Sequence, residues 1–504
     1  MNHWLTAPIL IPLFGAILQA FMGYAPVALR RTLGIGTTAL TLVAAIMLLV
    51  LADDGAYRLY AFGNWQPPFG IVLILDRLSA LMLVLTAVLA LFAHVYSLGG
   101  ADEDNRQFHG LFLFQLLGLN IAFLTGDLFN LFVAFEVLLI ASYGLLMHGK
   151  GSKRTVPGLH YVVLNLIGSA IFLIAVGMIY SVTGTLNMAD LAQKIPQVAP
   201  GNLPIVEAGG MLLLVVFGLK AAIIPLCFWL PNAYANATAP VAALFAIMTK
   251  VGVYAIIRVY NLIFGEQAGA LANLGMNWLF PLALITIAMG VVGALGAANL
   301  RKLFAWQVII SVGTLLAAIG LNSEKATSAA LFYLINTTWV VGGLFLLADL
   351  VADQRGAAGD KIITAPRMHN RTFLSILYLI GAVAAAGLPP LSGFFAKLLI
   401  LDSAVPGAER FWLWSVLLAG SFFTLIAYSR AGSIVFWRNV EGHLESPRKL
   451  TGAISVPASA LLAVSIGIVV FAEPISRYVD DTAAQLHTPG AYIDVLQVPM
   501  VEEN

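Results

Sequence analysis

Residues 211–230 are MLLLVVFGLKAAIIPLCFWL, and this stretch decides the fold class because it contains a single charged residue, Lys220. A helix needs about 20 mostly apolar residues to cross the hydrocarbon core of a bilayer, which is about 30 Å thick. Apolar runs of this length follow one another along nearly the whole chain. The sequence therefore predicts an all-α membrane protein with about fourteen transmembrane helices.

The composition supports a membrane protein and excludes several other classes. Hydrophobic residues make up 60% of the 504 residues and charged residues 10%, too few charges to cover a soluble domain of this size. A net charge of +1 gives no reason to expect a nucleic-acid partner. The single cysteine, Cys227, excludes an internal disulfide and argues against a cysteine-built metal site. We find no nucleotide-binding loop or metal-ligand cluster, so we expect no enzyme, no cofactor and no metal.

The first apolar run is expected to be a permanent span, because it lacks the basic start and the small-residue cleavage site of a signal peptide. The predicted spans cover residues 4–22, 33–52, 74–98, 108–126, 128–148, 160–183, 207–229, 240–262, 278–298, 303–321, 327–351, 372–401, 411–437 and 453–474.

The loops between them show a charge bias. Alternate loops on one side contain most of the basic residues, including Arg30, Arg31, Arg106, Lys150 and Arg301. The positive-inside rule puts that side in the cytoplasm and both termini on the outer side. We therefore expect a multi-pass protein of the bacterial inner membrane.

Four charged residues lie deep inside predicted spans: Glu136, Lys220, Lys250 and Lys397. A charge near the bilayer centre costs at least ~3 kcal/mol, and such residues usually face a wet cavity or a partner and mark an ion path. A purely structural ion pair is the alternative. Arg258 lies nearer a helix end, where a long side chain is expected to reach the interface.

Two of these lysines lie beside helix-breaking prolines. Lys220 precedes Pro225, and Lys397 follows Pro389 and Pro390. Proline removes a backbone donor and clashes with the preceding turn, so both spans are expected to be broken. Because freed carbonyls need a partner in lipid, a hydrated cavity is expected at each break.

The two broken spans occur at matching places in the chain. Lys220 and Lys397 are 177 residues apart, and Lys250 and Arg430 are 180 residues apart. Paired interrupted helices are typical of transporters built from inverted repeats. We therefore predict two inverted five-helix repeats, spans 4–8 and 9–13, with breaks in spans 7 and 12. The predicted units are residues 1–107 (helices 1–3), 108–262 (first repeat), 277–437 (second repeat) and 453–504 (last helix and tail).

The chemistry of these residues suits proton movement. A lysine out of water holds its proton less tightly, and a nearby carboxylate restores its hold. Glu136 and Lys220 are therefore expected to form a switchable pair that passes a proton toward Lys250.

Several stretches also carry a family resemblance. GDLFNLFVAFE at residues 126–136 resembles the D-type subunit of the Mrp-type (Pha, Mnh) multi-subunit cation/proton antiporters. FWLPNAY at 228–234, APVAAL at 239–244, TKVGVY at 249–254 and GLPPLSGF at 387–394 resemble that family and also the antiporter-like subunits of respiratory complex I. The resemblance covers nearly the whole chain and implies the same fourteen helices, inverted repeats and broken helices.

The resemblance also implies roles for the buried charges. It makes Glu136 and Lys220 the coupling pair, Lys250 the central relay and Lys397 the terminal proton site. Supporting or hydrating roles fall to Asp127, Arg258, Asn336, Pro225, Pro389 and Pro390. Asn336 stands where the family usually has histidine, and an asparagine holds water but does not take up a proton. Acids are common in the family where Asn232 and Asn299 stand.

The resemblance implies partners: the other subunits of a hetero-oligomer, the lipid bilayer, and Na⁺ or K⁺ and H⁺ as the transported ions. Two alternatives stay open. One is a proton-pumping subunit of complex I or of a membrane-bound hydrogenase, driven by redox chemistry elsewhere. The other is a membrane scaffold that conducts nothing itself. The polar tail after Glu473 either docks on a neighbouring subunit or is loose.

Overall fold

The computed structural model describes residues 3–103, 105–149, 154–441 and 450–495. Twelve helices in this part of the chain are long and apolar enough to cross a membrane, and Phe108–Leu124 and Arg371–Ala386 are shorter apolar helices. The prediction of an all-α membrane protein is confirmed. The helices are α1 (Ala7–Phe21), α2 (Val27–Ala52), α3 (Arg77–Ser97), α4 (Phe108–Leu124), α5 (Leu128–Met147), α6 (Thr155–Thr183), α7 (Met188–Lys194), α8 (Leu203–Ala221), α9 (Trp229–Asn236), α10 (Ala239–Leu262), α11 (Met276–Leu295), α12 (Leu300–Ile319), α13 (Glu324–Gln354), α14 (Arg371–Ala386), α15 (Ser392–Ser403), α16 (Ala408–Gly432), α17 (Gly452–Val470), α18 (Ala472–His487) and α19 (Gly490–Asp494).

Two short pairs of strands lie outside the helices. Strands β1 (Arg58–Ala61) and β2 (Val72–Leu75) form an antiparallel hairpin between α2 and α3. Strands β3 (Ala365–Pro366) and β4 (Asn439–Val440) pair in parallel. The hairpin contacts the end of α4 through a bridge from Leu73 to Thr125, so it covers one end of the bundle.

The centre of the bundle is formed by α10 and α13, with α12 beside them. Every residue of α10 from Ala239 to Tyr260 is buried. A helix that is apolar on all sides is expected inside a bundle rather than against lipid. It packs on α3, α8, α12 and α13. The charged residues of α10 therefore lie in the protein interior.

The two predicted breaks coincide with helix ends. Helix α8 ends at Ala221, where span 7 was predicted to continue, and α9 begins at Trp229. The residues of predicted span 12 form α14 and α15, with residues 387–391 between them. Each break leaves backbone groups that need partners, because a membrane interior offers no water to bind them.

At the first break the protein supplies these partners. Ile223 donates its backbone N–H to Gly218 O at 2.9 Å, and Ile224 donates to the Thr286 hydroxyl at 3.0 Å. The Trp229 ring donates to Leu219 O at 3.3 Å. A cavity of about 230 Å³ borders the break, but its lining is apolar. The hydrated cavity expected at this break is therefore not borne out, because the lining lacks the polar groups that hold water.

The tail after Glu473 differs from the expectation, since its described part docks on its own chain. Helix α18 packs against α13 and α3. Tyr478 donates its hydroxyl to Arg77 O at 2.9 Å, and Gln485 donates to Gly55 O at 2.9 Å. The last turn, α19, buries Tyr492. Residues 496–504 lie outside the described residues.

Candidate functional site

The first group of site residues lies between α5, α6 and α8. Glu136, half-buried on α5, accepts a hydrogen bond from the Ser169 hydroxyl of α6. Lys220, near the end of α8 and 6% exposed, donates to Asn165 Oδ1 of α6 at 3.1 Å. Asn165 and Ser169 are four residues apart, so they lie on one face of α6. Glu136 and Lys220 thus bind different side chains on one face of α6, and no direct hydrogen bond joins them in the described part of the chain.

An aromatic ring also contacts the lysine. The ammonium of Lys220 lies 5.7 Å from the centre of the Phe135 ring, a distance at which the face of the ring attracts a cation. Phe135 is the residue before Glu136 on α5. The carboxylate and the ring of α5 therefore both face the same lysine region.

Lys250 occupies the middle of the bundle and is fully buried. Its ammonium donates to the Ser311 hydroxyl oxygen of α12 at 3.1 Å, while Ser311 donates to Val308 O at 2.6 Å. A protonated lysine has three N–H donors. Within the described residues Lys250 has this one hydrogen-bond acceptor, so its charged form is poorly satisfied.

Lys250 and Lys220 flank one helix crossing. A Cβ placed on Gly252 would lie 2.5 Å from the backbone nitrogen of Ala221, closer than real Cβ contacts allow. The glycine therefore lets α10 approach the end of α8, and the two lysines lie within two residues of that approach.

Lys397 of α15 is held by three oxygens. Its ammonium donates to Ala386 O at 2.8 Å, to the Ser421 hydroxyl at 2.9 Å and to Ala385 O at 3.5 Å. It also lines a cavity of about 310 Å³. The cavity lining includes Leu418 and Phe422, which are exposed on the outer surface of the chain. Lys397 is therefore buried next to a cleft that opens on the side of the bundle.

Polar side chains lie between Lys250 and Lys397. Gln307 is one helical turn before Ser311 on α12 and donates to Ala385 O at 3.4 Å, the oxygen that also faces Lys397. Asn336 of α13 accepts a hydrogen bond from the Ser392 hydroxyl at 2.7 Å. Ser392 is the first residue of α15. Gln307 of α12 and Asn336 of α13 thus each make a polar contact at the second break.

Two predicted supporting residues lie elsewhere. Asp127 caps the start of α5 by accepting the Asn130 backbone N–H at 2.9 Å. The expectation that Arg258 reaches the interface is wrong. Arg258 is 4% exposed and pairs with Asp76 through two hydrogen bonds of 2.6 and 2.8 Å. The prolines 225, 389 and 390 lie in the breaks. Asp127 and Arg258 thus make local contacts, and among the described residues neither is bonded to one of the four deep charges.

The sequence analysis missed the polar side chains that lie around the four deep charges. Asn165, Ser169, Gln307, Ser311 and Ser421 are common residue types in helices, and each alone carries little information. A signal existed in the spacing, because Asn165 with Ser169 and Gln307 with Ser311 are pairs four residues apart inside apolar spans. Such pairs place two polar groups on one helix face.

The comparisons with known proteins cover nearly the whole chain. Residues 125–424 match the family described as NADH:quinone oxidoreductase/Mrp antiporter, transmembrane. The D-type subunit of a probable K(+)/H(+) antiporter from Rhizobium meliloti is 41% identical over 99% of this chain and 98% of its own length. The D-type subunit of the Na(+)/H(+) antiporter of Bacillus subtilis is 35% identical over 98% of this chain and 99% of its own length.

A solved structure has the same fold. A chain of the Mrp complex from Dietzia superposes with a TM-score of 0.87 and 26% identity, over 99% of this chain and 100% of that chain. The likeness therefore includes the N-terminal helices and α17 as well as the matched central region.

Proposed function

The chain belongs to the NADH:quinone oxidoreductase/Mrp antiporter family, and we propose that it is the proton-carrying D-type subunit of a multi-subunit Na⁺/H⁺ or K⁺/H⁺ antiporter. The named relatives cover nearly the full length of the chain and are antiporter subunits of this type. Its partners are then the other subunits of the complex, and its surroundings the bilayer.

The observation that carries the proposal is the row of buried charges with polar side chains between them. Glu136, Lys220, Lys250 and Lys397 lie on four different helices, and each is bound to neutral oxygen-bearing groups rather than to a permanent counter-ion. An ammonium that lacks a fixed counter-ion releases its proton more readily than one in a salt bridge. Such a row suits proton transfer.

The row suggests an order of steps. Glu136 binds Ser169 and Lys220 binds Asn165 on the same face of α6. A gain or loss of a proton by Glu136 therefore changes the electrostatic potential at Lys220. Lys220 then hands its proton toward Lys250 on the neighbouring helix α10, which packs on α8. Ser311 and Gln307 then lead from Lys250 to the carbonyl oxygen that faces Lys397. Charges several ångströms apart still interact strongly at low effective dielectric, which couples the steps.

The finer architecture belongs to the same proposal. The twelve long apolar helices, α4, and α14 with α15 as one broken span give the predicted fourteen crossings. Spans 4–8 and 9–13 are then the two inverted repeats. The basic loops face the cytoplasm and both termini the outer side, in the inner membrane of a bacterium.

The test is cation/proton antiport in inverted vesicles from cells lacking their own antiporters, expressing the whole operon. Glu136→Ala is expected to abolish antiport while the complex assembles normally. Lys220→Arg is expected to do the same, because arginine keeps its charge but does not release its proton. Full antiport with both variants would refute the relay and leave the chain a scaffold.

The redox-driven alternative makes a different prediction in the same assay. A proton pump powered by a redox partner would show no cation/proton exchange in vesicles energised by an imposed cation gradient. Exchange that depends on Glu136 in those vesicles would exclude it.

A further inference from the structure

A second buried polar chain lies in the N-terminal helices, away from the lysines. The rings of His94 (α3) and His109 (α4) meet through Nε2 and Nδ1 at 2.8 Å. His94 Nδ1 lies 2.8 Å from the Thr38 hydroxyl of α2. His109 Nε2 lies 3.3 Å from a carboxylate oxygen of Asp102. None of the four residues is more than 2% exposed.

The Asp102 end of this chain leads to the surface. Asp102 lies in the loop between α3 and α4, and Arg31 donates to its two oxygens at 2.6 and 2.8 Å. Arg31 also binds Glu103, whose side chain is 61% exposed. Burial opposes ionisation of Asp102, but the hydrogen bonds from His109 and Arg31 outweigh it and hold the pKa of Asp102 well below its usual range. This series of hydrogen-bonded side chains therefore ends on a charged carboxylate, which Arg31 links to the exposed Glu103.

The two rings are packed in an apolar shell. The Phe112 ring centre is 4.4 Å from that of His94, and the Phe108 ring centre is 6.2 Å from that of His94 and 5.6 Å from that of His109. Gly34 makes room for the pair, since a Cβ there would lie 3.0 Å from His109 Nδ1. The charged and titratable groups around the pair, from α2, the 98–107 loop and the end of α5, are Arg30, Arg31, Asp102, Glu103, Arg106 and His148.

The hydrogen-bond pattern allows a state in which both rings are neutral. Thr38 donates its hydroxyl proton to His94 Nδ1, and His94 donates from Nε2 to His109 Nδ1. His109 then donates from Nε2 to Asp102. Each ring nitrogen has one partner of the right kind.

The same geometry allows a state with one more proton. The Thr38 hydroxyl now donates to Gly34 O, which lies 3.0 Å away, and His94 donates from Nδ1 to the Thr38 oxygen. His109 donates from Nδ1 to His94 and from Nε2 to Asp102. Every N–H again has an acceptor, and the positive charge is on His109 beside the carboxylate. Between the two states the hydroxyl proton rotates, one proton is added at His94 Nδ1 and one moves from His94 Nε2 to His109 Nδ1, while the heavy atoms stay in place.

We propose that Thr38, His94, His109 and Asp102 form a binding site for one proton, separate from the Glu136–Lys397 row. When the site gains one proton, His94 becomes protonated at Nδ1 and its Nε2 proton moves to His109, so the charge appears next to Asp102. Every ring nitrogen of the two histidines has a hydrogen-bond partner both with and without the added proton. A histidine pair with a purely structural role would need partners in one protonation state only. The proposal does not depend on the transport function.

The test is the nitrogen NMR spectrum of the histidine rings in the full chain in lipid, recorded from about pH 5 to about pH 9, where histidine titrates. His94→Gln and His109→Gln assign the signals. We expect His109 to become doubly protonated in one step, while His94 moves its single proton from Nε2 to Nδ1 at the same midpoint. Rings that keep one state throughout, or that titrate in two separate steps, would overturn the proposal.

Thr38→Val tests the role of the rotating hydroxyl with little change in side-chain size. Without the hydroxyl, His94 Nδ1 loses a hydrogen bond in both states, but the protonated state loses the stronger one because its hydrogen bonds carry the added charge. The midpoint should therefore fall by about one pH unit, a tenfold loss of proton affinity. Thr38→Ser restores the hydroxyl and should restore the midpoint, which separates this effect from misfolding. An unchanged midpoint in Thr38→Val contradicts the proposal. The readout is independent of antiport, so this inference and the transport proposal fail separately.

Discussion

The ammonium of Lys397 lies 2.8 Å from the carbonyl oxygen of Ala386, which ends the helix before its own. The last four carbonyls of a helix have no partner within it, and the negative end of a helix attracts a cation. Lys220 lies in the last turn of α8, so it too is at such an end. The two lysines are on opposite sides of their breaks in sequence, yet each lies at the negative pole of an interrupted helix.

This geometry predicts that Lys397 has a structural and a transport role that two substitutions separate. Lys397→Met removes the charge at the end of α14 and should lower the free energy of unfolding by about 1–3 kcal/mol, because buried carbonyls lose their donor. Lys397→Arg keeps a donor at that place and should be more stable than Lys397→Met, yet without antiport, because arginine retains its proton. The thermal unfolding midpoint of the purified complex and vesicle antiport measure the two effects.

A surface lysine provides the control for this pair. Lys194 is 43% exposed and paired with Asp190, so Lys194→Met should change the free energy of unfolding by less than about 0.5 kcal/mol. Normal antiport in Lys397→Arg would show that Lys397 is a cap alone.

The link between Glu136 and Lys220 predicts a role for a serine. Ser169→Ala removes the hydroxyl that binds Glu136, and the carboxylate then loses its contact to the α6 face that holds Lys220. We expect antiport to fall by about tenfold, the effect of one charge-assisted hydrogen bond, with the complex still assembled. Initial rates in inverted vesicles measure it.

Helix α6 offers a matched control. Ser181 is exposed on the same helix and donates only to Met178 O, so Ser181→Ala should leave the rate unchanged. Equal rates in Ser169→Ala and Ser181→Ala would mean that Glu136 and Lys220 do not communicate through α6.

The lysines and the breaks were predictable because hydrophobic patterning makes them conspicuous. A charge inside a long apolar run, as at Lys220, Lys250 and Lys397, has few structural explanations, and the prolines indicate where a helix ends. The all-α fold follows from the same apolar runs, since the backbone in lipid must satisfy its own hydrogen bonds.

The remaining features depend on contacts between distant segments, which patterning does not encode. Arg258 is near a helix end, so its burial follows only from Asp76, 182 residues away. His94 and His109 are 15 residues apart, and nothing in either span marks them as partners. Which serines face a lysine likewise depends on how the helices pack against one another.

The ion pair of Arg258 and Asp76 predicts a large cost for removing one partner alone. Arg258→Met leaves the carboxylate of Asp76 buried and uncompensated, which should destabilise the chain by about 3–5 kcal/mol. Adding Asp76→Asn removes that charge but keeps an oxygen that can accept the Ser79 N–H, so the double variant should regain much of the loss. Chemical or thermal unfolding of the purified complex gives the comparison.

An exposed ion pair of α18 sets the scale for this cost. Arg477 pairs at 3.2 Å with Glu473, the two side chains are 74% and 85% exposed, and Arg477→Met should cost about 0–1 kcal/mol. A double variant no more stable than Arg258→Met alone would show that the arginine stabilises through its packing rather than through the charge of Asp76.

The polar side chains of α12 that lie between Lys250 and Lys397 predict a role for Gln307 in transport. Its Nε2 donates to Ala385 O at 3.4 Å, and its Oε1 has no partner among the described residues, which leaves an oxygen free to accept a proton donor. Gln307→Leu keeps a similar volume but removes both groups, so we expect antiport to fall by about tenfold while the complex stays folded. Initial antiport rates and unfolding midpoints are measured together.

Gln115 on α4 is the control that separates a transport role from burial. It is also fully buried, and neither of its side-chain polar atoms has a partner in the described part of the chain, so no hydrogen bond there joins it to the row of lysines. Gln115→Leu should stabilise the chain or leave it unchanged, because a buried amide without partners is costly, and antiport should remain normal. If Gln307→Leu lowers antiport no more than Gln115→Leu, the protons do not pass from Lys250 to Lys397 along α12, and the Asn336–Ser392 contact becomes the route to test.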